Sequence, residues 1–377
     1  METNIKIAYL TSSHYANDDR IYYHIKETLE KKGCEVSVCS SFGIPKNKIE
    51  NAYVVDGVNL SKKDKINWFY QQLVFLKPEV VICAEPLPIL AAKKYKGKHS
   101  CKIIYDVTEW YPSKKNLINL TFVSKVIRAF ILFVFNIYAS YFVDGFIVGE
   151  YYKKRLYDVF FPLKPKVIIS YYTKKKYVTL KGKALTKGVF KVGYSGKFSK
   201  EKGLQRVFEV ADYLRIKNPT VRVVLVLVGK ACSKEDELFF KTLKEKFSAL
   251  KVEVNHMVPF ESFSNAISGF DVALDLRDND FENTRCLPIK LFHYNACGIP
   301  VVYSNLKAIK KGYVQADFCK LLFLDDIDEI GVYLQKFIEQ PDFYRQTSKD
   351  AVKEIEEGYL WEHIEGKLFD FIKKINV

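Results

Sequence analysis

Short apolar runs rich in valine and isoleucine recur along the chain, separated by longer segments with helical spacing. In the first half these runs are KIAYL (6–10), EVSVC (35–39), VVICA (80–84), KIIYD (102–106) and GFIVG (145–149). Each is short and apolar on both faces, the pattern of a strand buried inside a parallel sheet. Helical segments such as 20–32 lie between them. Residues 173–188 are lysine-rich and lack an apolar period, which marks a linker. The pattern then restarts with VFKVGYSG (189–196), VRVVLVLVG (221–229), VEV (252–254), VALDL (272–276) and PVVYS (300–304). Strands alternating with helices imply doubly wound parallel sheets.

The chain is thus expected to be α/β, with two Rossmann-like parallel-sheet domains. The first spans 1–172, completed by residues 358–377, and the second spans 189–357. A final amphipathic segment carries Leu360, Trp361, Ile364, Leu368, Phe371 and Ile375 on one side and is expected to cross back to the first domain. At 377 residues the chain is too long for one ordinary core, which fits this division.

The stretch ENTRCLPIKLFHYNACGIPVVYS (282–304) combines a loop, a helix and a strand. Pro288 suits the first helical position, and Gly298 suits the left-handed position that ends a helix. In open α/β sheets ligands bind beyond the carboxyl ends of the strands, where helix N-termini offer N–H groups and partial positive charge. An anion is the expected ligand. GYSGKFSKEKGL (193–204) supplies a second half of such a site. Gly196 ends a strand and permits close approach, Lys197 and Lys202 can reach over the strand end, and Gly203 opens the next helix. Two ammonium groups and a helix N-terminus form an anion cradle without a metal. The P-loop pattern GxxxxGK[ST] and the dinucleotide pattern GxGxxG are both absent.

Charge changes the picture in the first half. Residues 1–183 hold 30 Lys+Arg against 16 Asp+Glu, and the rest hold 29 against 28, so nearly all of the net charge of +15 lies in the first half of the chain. Clusters occur at Lys62-Lys63-Lys65, Lys93-Lys94-Lys96-Lys98, Lys153-Lys154-Arg155 and Lys174-Lys175-Lys176. Beside them runs AFILFVFNIYASYFV (129–143), closed by Arg128 and Asp144 before the roughly 20 residues a spanning helix needs. It is expected to be a buried helix on the first sheet, with a membrane-dipping helix as the alternative. Charge alone would also admit nucleic acid, but no recognition helix or aromatic RNA platform accompanies it. The eight cysteines show no CxxC spacing and read as reduced core residues, with no metal site. The N-terminus lacks a basic n-region ahead of its first strand, so no secretory signal is expected and the location is taken as cytoplasmic.

GYSGKFSKEKGL, followed about eighty residues later by RCLPIKLFHYNACGIPVV, resembles the donor-binding half of the GT-B-fold glycosyltransferases, specifically the large group 1 retaining family of the bacterial surface-polysaccharide type. The first half resembles it too. TSSHYANDDRI (11–21) places His14, Asp18 and Arg20 at the family's first-loop spacing, and YDVTEWYP (105–112) resembles its Tyr-Asp-x-His-Glu-x-Tyr-Pro segment. The resemblance implies two domains facing a cleft. It implies that Lys197 and Lys202 bind the diphosphate of a nucleotide sugar, UDP- or GDP-linked, in place of a metal. Backbone N–H groups near Leu287, Pro288 and Ile289 complete that cradle, with Gly196 and Glu282 beside it. Gly229 and the segment from Met257 to Phe260 lie near the base. His14 and Glu109 act in catalysis by orienting the acceptor or sugar, with Asp18, Arg20 and Thr108 on the acceptor side.

The sequence departs from the family at three places. The carboxylate expected to hold the ribose is His293, whose neutral ring offers one donor and one acceptor. The first carboxylate of the usual Glu-x7-Glu pair falls on Cys286, and the catalytic-site histidine expected in the first domain is Thr108. The implied activity is a metal-independent, retaining transfer of a sugar from a nucleoside diphosphate sugar to a hydroxyl of a polysaccharide or lipid-linked oligosaccharide, with no cofactor. The implied setting is cytoplasmic, peripheral on the inner face of an anionic membrane. Two alternatives stay open: a nucleotide-sugar epimerase of similar fold, and a catalytically weakened nucleotide-binding scaffold.

Overall fold

The computed structural model describes residues 5–45, 49–117, 120–323 and 326–376. The chain divides into two compact units, 1–171 with 364–377, and 172–363.

The first unit is built on β1 (Lys6–Thr11), β2 (Glu35–Ser40), β3 (Ala52–Val54), β4 (Val80–Cys83), β5 (Lys102–Val107), β6 (Gly145–Val148) and β7 (Lys166–Ile168). All pair in parallel, in the order β3-β2-β1-β4-β5-β6-β7. The order reverses between β1 and β4, so the loops leaving those two strands diverge and open a crevice at their carboxyl ends. The helix Glu365–Asn376 returns to this unit, as expected from the amphipathic C-terminal segment. It packs so closely on the start of β6 that a Cβ on Gly145 would meet Ile375 Cδ1 at 2.8 Å and Phe371 Cζ at 2.9 Å. The helix starts only at Glu365. Leu360 and Trp361 belong to the second unit, where the Trp361 amide donates to Thr173 O.

The second unit carries β8 (Val189–Lys197), β9 (Arg222–Lys230), β10 (Lys251–Asn255), β11 (Val272–Asp275), β12 (Val301–Ser304) and β13 (Cys319–Leu322), all parallel in the order β10-β9-β8-β11-β12-β13. Its switch point lies between β8 and β11. Two apolar cores fill the space between the sheet and its helices, one on each face: Phe208, Leu225 and Leu274 lie in one, Val226, Phe292 and Val301 in the other.

The ten expected strands are all present, with ends shifted by a residue or so. The three the pattern missed, β3, β7 and β13, are three or four residues long and stand at sheet edges. An edge strand is paired on one side only and needs little apolar sequence, so it leaves a weak signal. Eight free cysteines are present, six of them buried, in line with reduced core residues.

One expectation fails clearly. The apolar run 129–143 is not a buried helix. Its residues 129–141 are the last part of a 20-residue helix, Phe122–Tyr141, in which only Asn136, Ala139 and Ser140 are buried. Thr121 caps its start by accepting from the Ser124 amide. The polar and small residues face the sheet and the large apolar ones face outward, an inversion that hydropathy along the chain cannot report.

Candidate functional site

The carboxyl ends of β8 and β11 gather a cluster of charged side chains in the second unit. Asp275, the last residue of β11, and Arg277, two residues on, are both buried and form a bidentate pair, with Arg277 Nε donating to Asp275 Oδ1 at 2.7 Å and Arg277 Nη2 to Asp275 Oδ2. Burial alone would raise the Asp275 carboxyl, but the guanidinium outweighs it and holds the group below its ordinary range. Lys202 lies near enough to help in this, as does Lys290.

Lys290 is the second residue of the helix Ile289–Ala296. Its ammonium donates to the Ser195 carbonyl and sits 5.7 Å from the centroid of the Tyr194 ring. Desolvation pulls its pKa down to about 8; Asp275 opposes that shift, while Arg277 and Lys202 add to it. Three cations therefore crowd around one carboxylate, and the surplus positive charge would be relieved by an anion.

The glycines of this corner are fixed by contacts. Gly203 has φ +73°, and a Cβ there would come within 1.8 Å of Leu276 O. Gly229 has φ +153°, with Gly196 O 1.9 Å from the Cβ position. Gly196 itself is approached by Lys290 Nζ, at 2.8 Å from its Cβ position. Any side chain would push the strand ends apart or displace the lysine.

Pro288 caps the helix rather than opening it, with φ −74° and ψ 124°, and its side chain makes no capping bond to the first turn. The first helical amides are thus those of Ile289 and Lys290, beside the cation cluster. Gly298 takes φ +66° and ends the helix as expected. Cys286 and Leu287 lead into Pro288, and Glu282 closes a loop organised by Asp280, whose Oδ1 accepts from the amides of Glu282 and Asn283 at 2.9 Å. Ser199 Oγ, just past β8, and Tyr303 Oη, Ser304 Oγ and Asn305 Oδ1, at the end of β12, are buried without a hydrogen-bond partner among the described residues. Groups of this kind are costly unless a bound ligand or water satisfies them.

The structure does not treat the two sequence-marked lysines alike. Lys202 joins the cluster. Lys197 turns to Asp236, with Nζ 3.0 Å from Oδ2, and although burial pulls it down that carboxylate holds it above its ordinary range. His293 is buried, with Nδ1 3.2 Å from Thr173 Oγ1 and its ring edge-on to Phe260 and Phe263 at 5.4 and 5.2 Å. It thus meets one end of the Met257–Phe260 segment, whose Met257 is exposed.

In the first unit the switch point holds a second polar cluster. Glu85, just after β4, is buried and accepts from Thr11 Oγ1 and the Ser12 amide, both at 2.8 Å. His14 lies between Asp18 (Nδ1 to Oδ2, 3.1 Å) and Glu85 (Nε2 to Oε1, 3.7 Å). Burial would raise Asp18, yet Arg20 and His14 together hold it far below the usual carboxylate range. Desolvation raises Glu85, and the nearby negative charge of Glu109 adds to it. The Thr108 hydroxyl donates to Ala84 O at 3.1 Å, and its carbonyl accepts from Lys153 Nζ at 2.9 Å and Arg20 Nη1 at 3.4 Å. His14, Asp18, Arg20, Thr108 and Glu109 therefore share one neighbourhood.

Sequence reading overlooked Glu85, Asp275, Arg277 and Lys290 as functional residues. Each lies within two residues of the end of a switch-point strand or on the first helical turn beside one, but the switch point is a property of strand order, which has no local signal.

Two all-parallel sheets, with a cationic corner at the switch point of the second, define a Rossmann-type α/β protein with two such domains. Residues 179–354, most of the second unit, match the family model of the glycosyl transferases group 1. Similar solved structures share the two-domain GT-B fold. Sucrose-phosphate synthase from Thermosynechococcus elongatus superposes with a TM-score of 0.74 at 14% identity, covering 99% of each chain. Anabaena HepE, solved with UDP-glucose, gives 0.71 at 13%, covering 98% of this chain and 100% of that one. The pneumococcal O-GlcNAc transferase GtfA, solved with UDP and GlcNAc, gives 0.68 at 11%, covering 99% of each. Comparison with curated protein sequences gives no match.

Lys290 carries a pH prediction. If its ammonium binds a phosphate, UDP affinity measured by calorimetry falls as pH rises from 7 to 9, because Lys290 loses its proton through about 8. In Lys290→Met that leg of the profile flattens. A wild-type profile flat over this range would remove Lys290 from the site.

Proposed function

We propose that the protein is a retaining glycosyltransferase that moves a sugar from a nucleoside diphosphate sugar, UDP- or GDP-linked, to a hydroxyl of a surface polysaccharide or a lipid-linked oligosaccharide. The observation that carries the reading is the cationic corner of Lys202, Lys290 and Arg277 at the second switch point, in the unit that matches the group 1 family model. The UDP and UDP-glucose held by two of the similar structures favour a uridine donor.

The diphosphate binds at this corner, with the amides of Ile289 and Lys290 directed toward it and Leu287, Pro288 and Glu282 bordering it. As the bond from the anomeric carbon to the diphosphate breaks, negative charge grows on the leaving oxygen. Fixed cations stabilise that charge without a metal ion. The acceptor oxygen bonds to the anomeric carbon on the face the diphosphate leaves, and its proton passes to the departing phosphate. Lys197 contributes by exchanging Asp236 for a phosphate oxygen. Gly196 and Gly229 leave room for the nucleotide, and Met257 and His293 are assigned to the base and ribose. On the first unit, His14 and Glu109 orient acceptor or sugar hydroxyls, and Asp18, Arg20 and Thr108 hold that loop in place.

Thermal melting with UDP, GDP, ADP and their sugars, with and without EDTA, tests the reading. UDP and a UDP-sugar are expected to raise the melting temperature, by ~2.7 kcal/mol of stabilisation at a hundredfold excess over Kd. The shift persists in EDTA. No response to any nucleotide overturns the donor assignment, and a response abolished by EDTA overturns the metal-free cradle.

A further inference from the structure

The helix Phe122–Tyr141 presents a surface that neither the fold nor the proposed chemistry uses. Phe122, Val123, Val126, Ile127, Phe130, Ile131, Val134, Tyr138 and Tyr141 are all exposed, with Phe122 at 80%, Phe130 at 67% and Tyr141 at 70%. They recur at helical spacing and form one stripe about 30 Å long. The stripe continues beyond the helix, because Phe133 packs edge-on against Phe160 with centroids 5.5 Å apart, and Val159 and Leu163 lie exposed nearby in sequence. Water-soluble surfaces rarely carry a contiguous apolar patch of more than roughly 300–600 Å² without a partner.

The charges around the stripe identify the partner. From Glu109 to Asp144 the chain has no carboxylate between, while Lys125 and Arg128 are exposed on the helix itself. Arg128 also borders an open hollow of about 390 Å³ lined by Asn116, Leu120, Ser124, Ile127 and Ile131. At the C-terminal end, Lys93 Nζ lies 3.6 Å from the centroid of the Phe142 ring and 3.2 Å from Tyr138 Oη. Lys164 there donates to the carbonyls of Ser140, Tyr141 and Val143. An apolar stripe on a helix that carries cations and no carboxylate matches the boundary between the acyl chains and the anionic headgroups of a bilayer.

Among the described residues this is the one helix long and apolar enough to cross a membrane by length and composition. The fold argues that it lies along the membrane instead. Asn136 accepts from Tyr105 Oη and donates to Tyr157 Oη, both at 3.1 Å, which pins the last turns to β5 and the helix after β6. Asp144, three residues past the helix, accepts from the Ile103 amide at 2.7 Å and ties the exit to the same sheet. Threading the helix through a bilayer would strip these bonds from the centre of the first unit.

We propose that the first unit docks on an anionic phospholipid bilayer by burying the Phe122–Tyr141 stripe in the interface, with Lys125 and Arg128 on headgroup phosphates. The proposal rests on this surface alone and is independent of the donor assignment.

The test is flotation of the full chain with phosphatidylcholine vesicles, with and without roughly a third phosphatidylglycerol. The wild type is expected to float with the anionic vesicles, less in high salt, and weakly with the neutral ones. Phe130→Glu with Ile131→Glu, on the exposed stripe, is expected to reduce flotation at least about tenfold, with an unchanged melting temperature. Lys125→Gln with Arg128→Gln is expected to remove most of the preference for anionic lipid while keeping residual binding. Absence of flotation with anionic vesicles overturns the proposal, as does flotation unaffected by the glutamate pair. A concentration-dependent dimer in light scattering that the glutamate pair abolishes, with no lipid binding, assigns the stripe to a second copy of the chain and overturns it too.

Discussion

Replacing Lys202 with alanine is expected to lower turnover by about 10²–10³-fold, the range found when a fixed donor to a developing oxyanion is removed. Calorimetry should show UDP binding weakened by roughly 10- to 100-fold, since charge-assisted bonds contribute about 1.5–3 kcal/mol each. Lys202 is half-buried, makes no ion pair among the described residues, and acts electrostatically on Asp275 and Lys290. Its loss should therefore leave the melting temperature nearly unchanged. Lys197→Ala is the informative contrast. Lys197 must give up Asp236 before it can meet a phosphate, so part of its interaction with the ligand is offset. Its loss should cost less than that of Lys202. Equal losses would mean that the Asp236 pair does not persist beside a ligand, and no loss at Lys202 would place the diphosphate elsewhere.

Arg277→Met should produce the largest effect on stability. It leaves Asp275 buried without its bidentate partner, and breaking a buried pair from one side costs about 3–5 kcal/mol. For a unit of this size each kcal/mol shifts melting by about 2–4 °C, so a fall of roughly 6–20 °C is expected. The pH dependence follows from the direction of the Asp275 shift. In the wild type the folded carboxyl lies below its unfolded value, so its contribution is complete above the unfolded pKa of ~4 and is lost as pH falls through the folded one. In Arg277→Met burial dominates and the shift reverses, so the penalty is full at neutral pH and relieved as the carboxyl takes up a proton. The melting gap between wild type and variant should narrow from pH 7 toward pH 4. Adding Asp275→Asn should recover part of the loss at pH 7. A gap independent of pH would show that packing, and not charge, dominates the pair.

The candidate site was legible in proportion to how local its determinants are. Gly196, Gly203 and Gly298 stand out because a glycine after a strand or helix has a local conformational reason, and each takes positive φ. Pro288 marks the helix start to within one residue. Glu85 and Arg277 look in sequence like ordinary polar residues after a strand. They become members of charged clusters only because β4 lies next to β1 and β11 next to β8. Lys290 was visible as a letter in a motif, yet its lowered pKa comes from burial beside Arg277 and Lys202, which are distant in the chain.

The sequence by itself determined the two alternating α/β halves, the return of the C-terminal helix and the glycine-bounded loops, because apolar period, capping residues and positive-φ positions act over a few residues. Tertiary structure alone decided which polar residues meet at the switch points, that Lys197 pairs with Asp236 while Lys202 joins Lys290, and that the most apolar helix turns its large side chains outward. Strand order brings distant residues together, and the direction a helix faces is set by what it packs against, here Asn136, Ala139 and Ser140 against the first sheet. Neither is encoded by any single stretch of the chain.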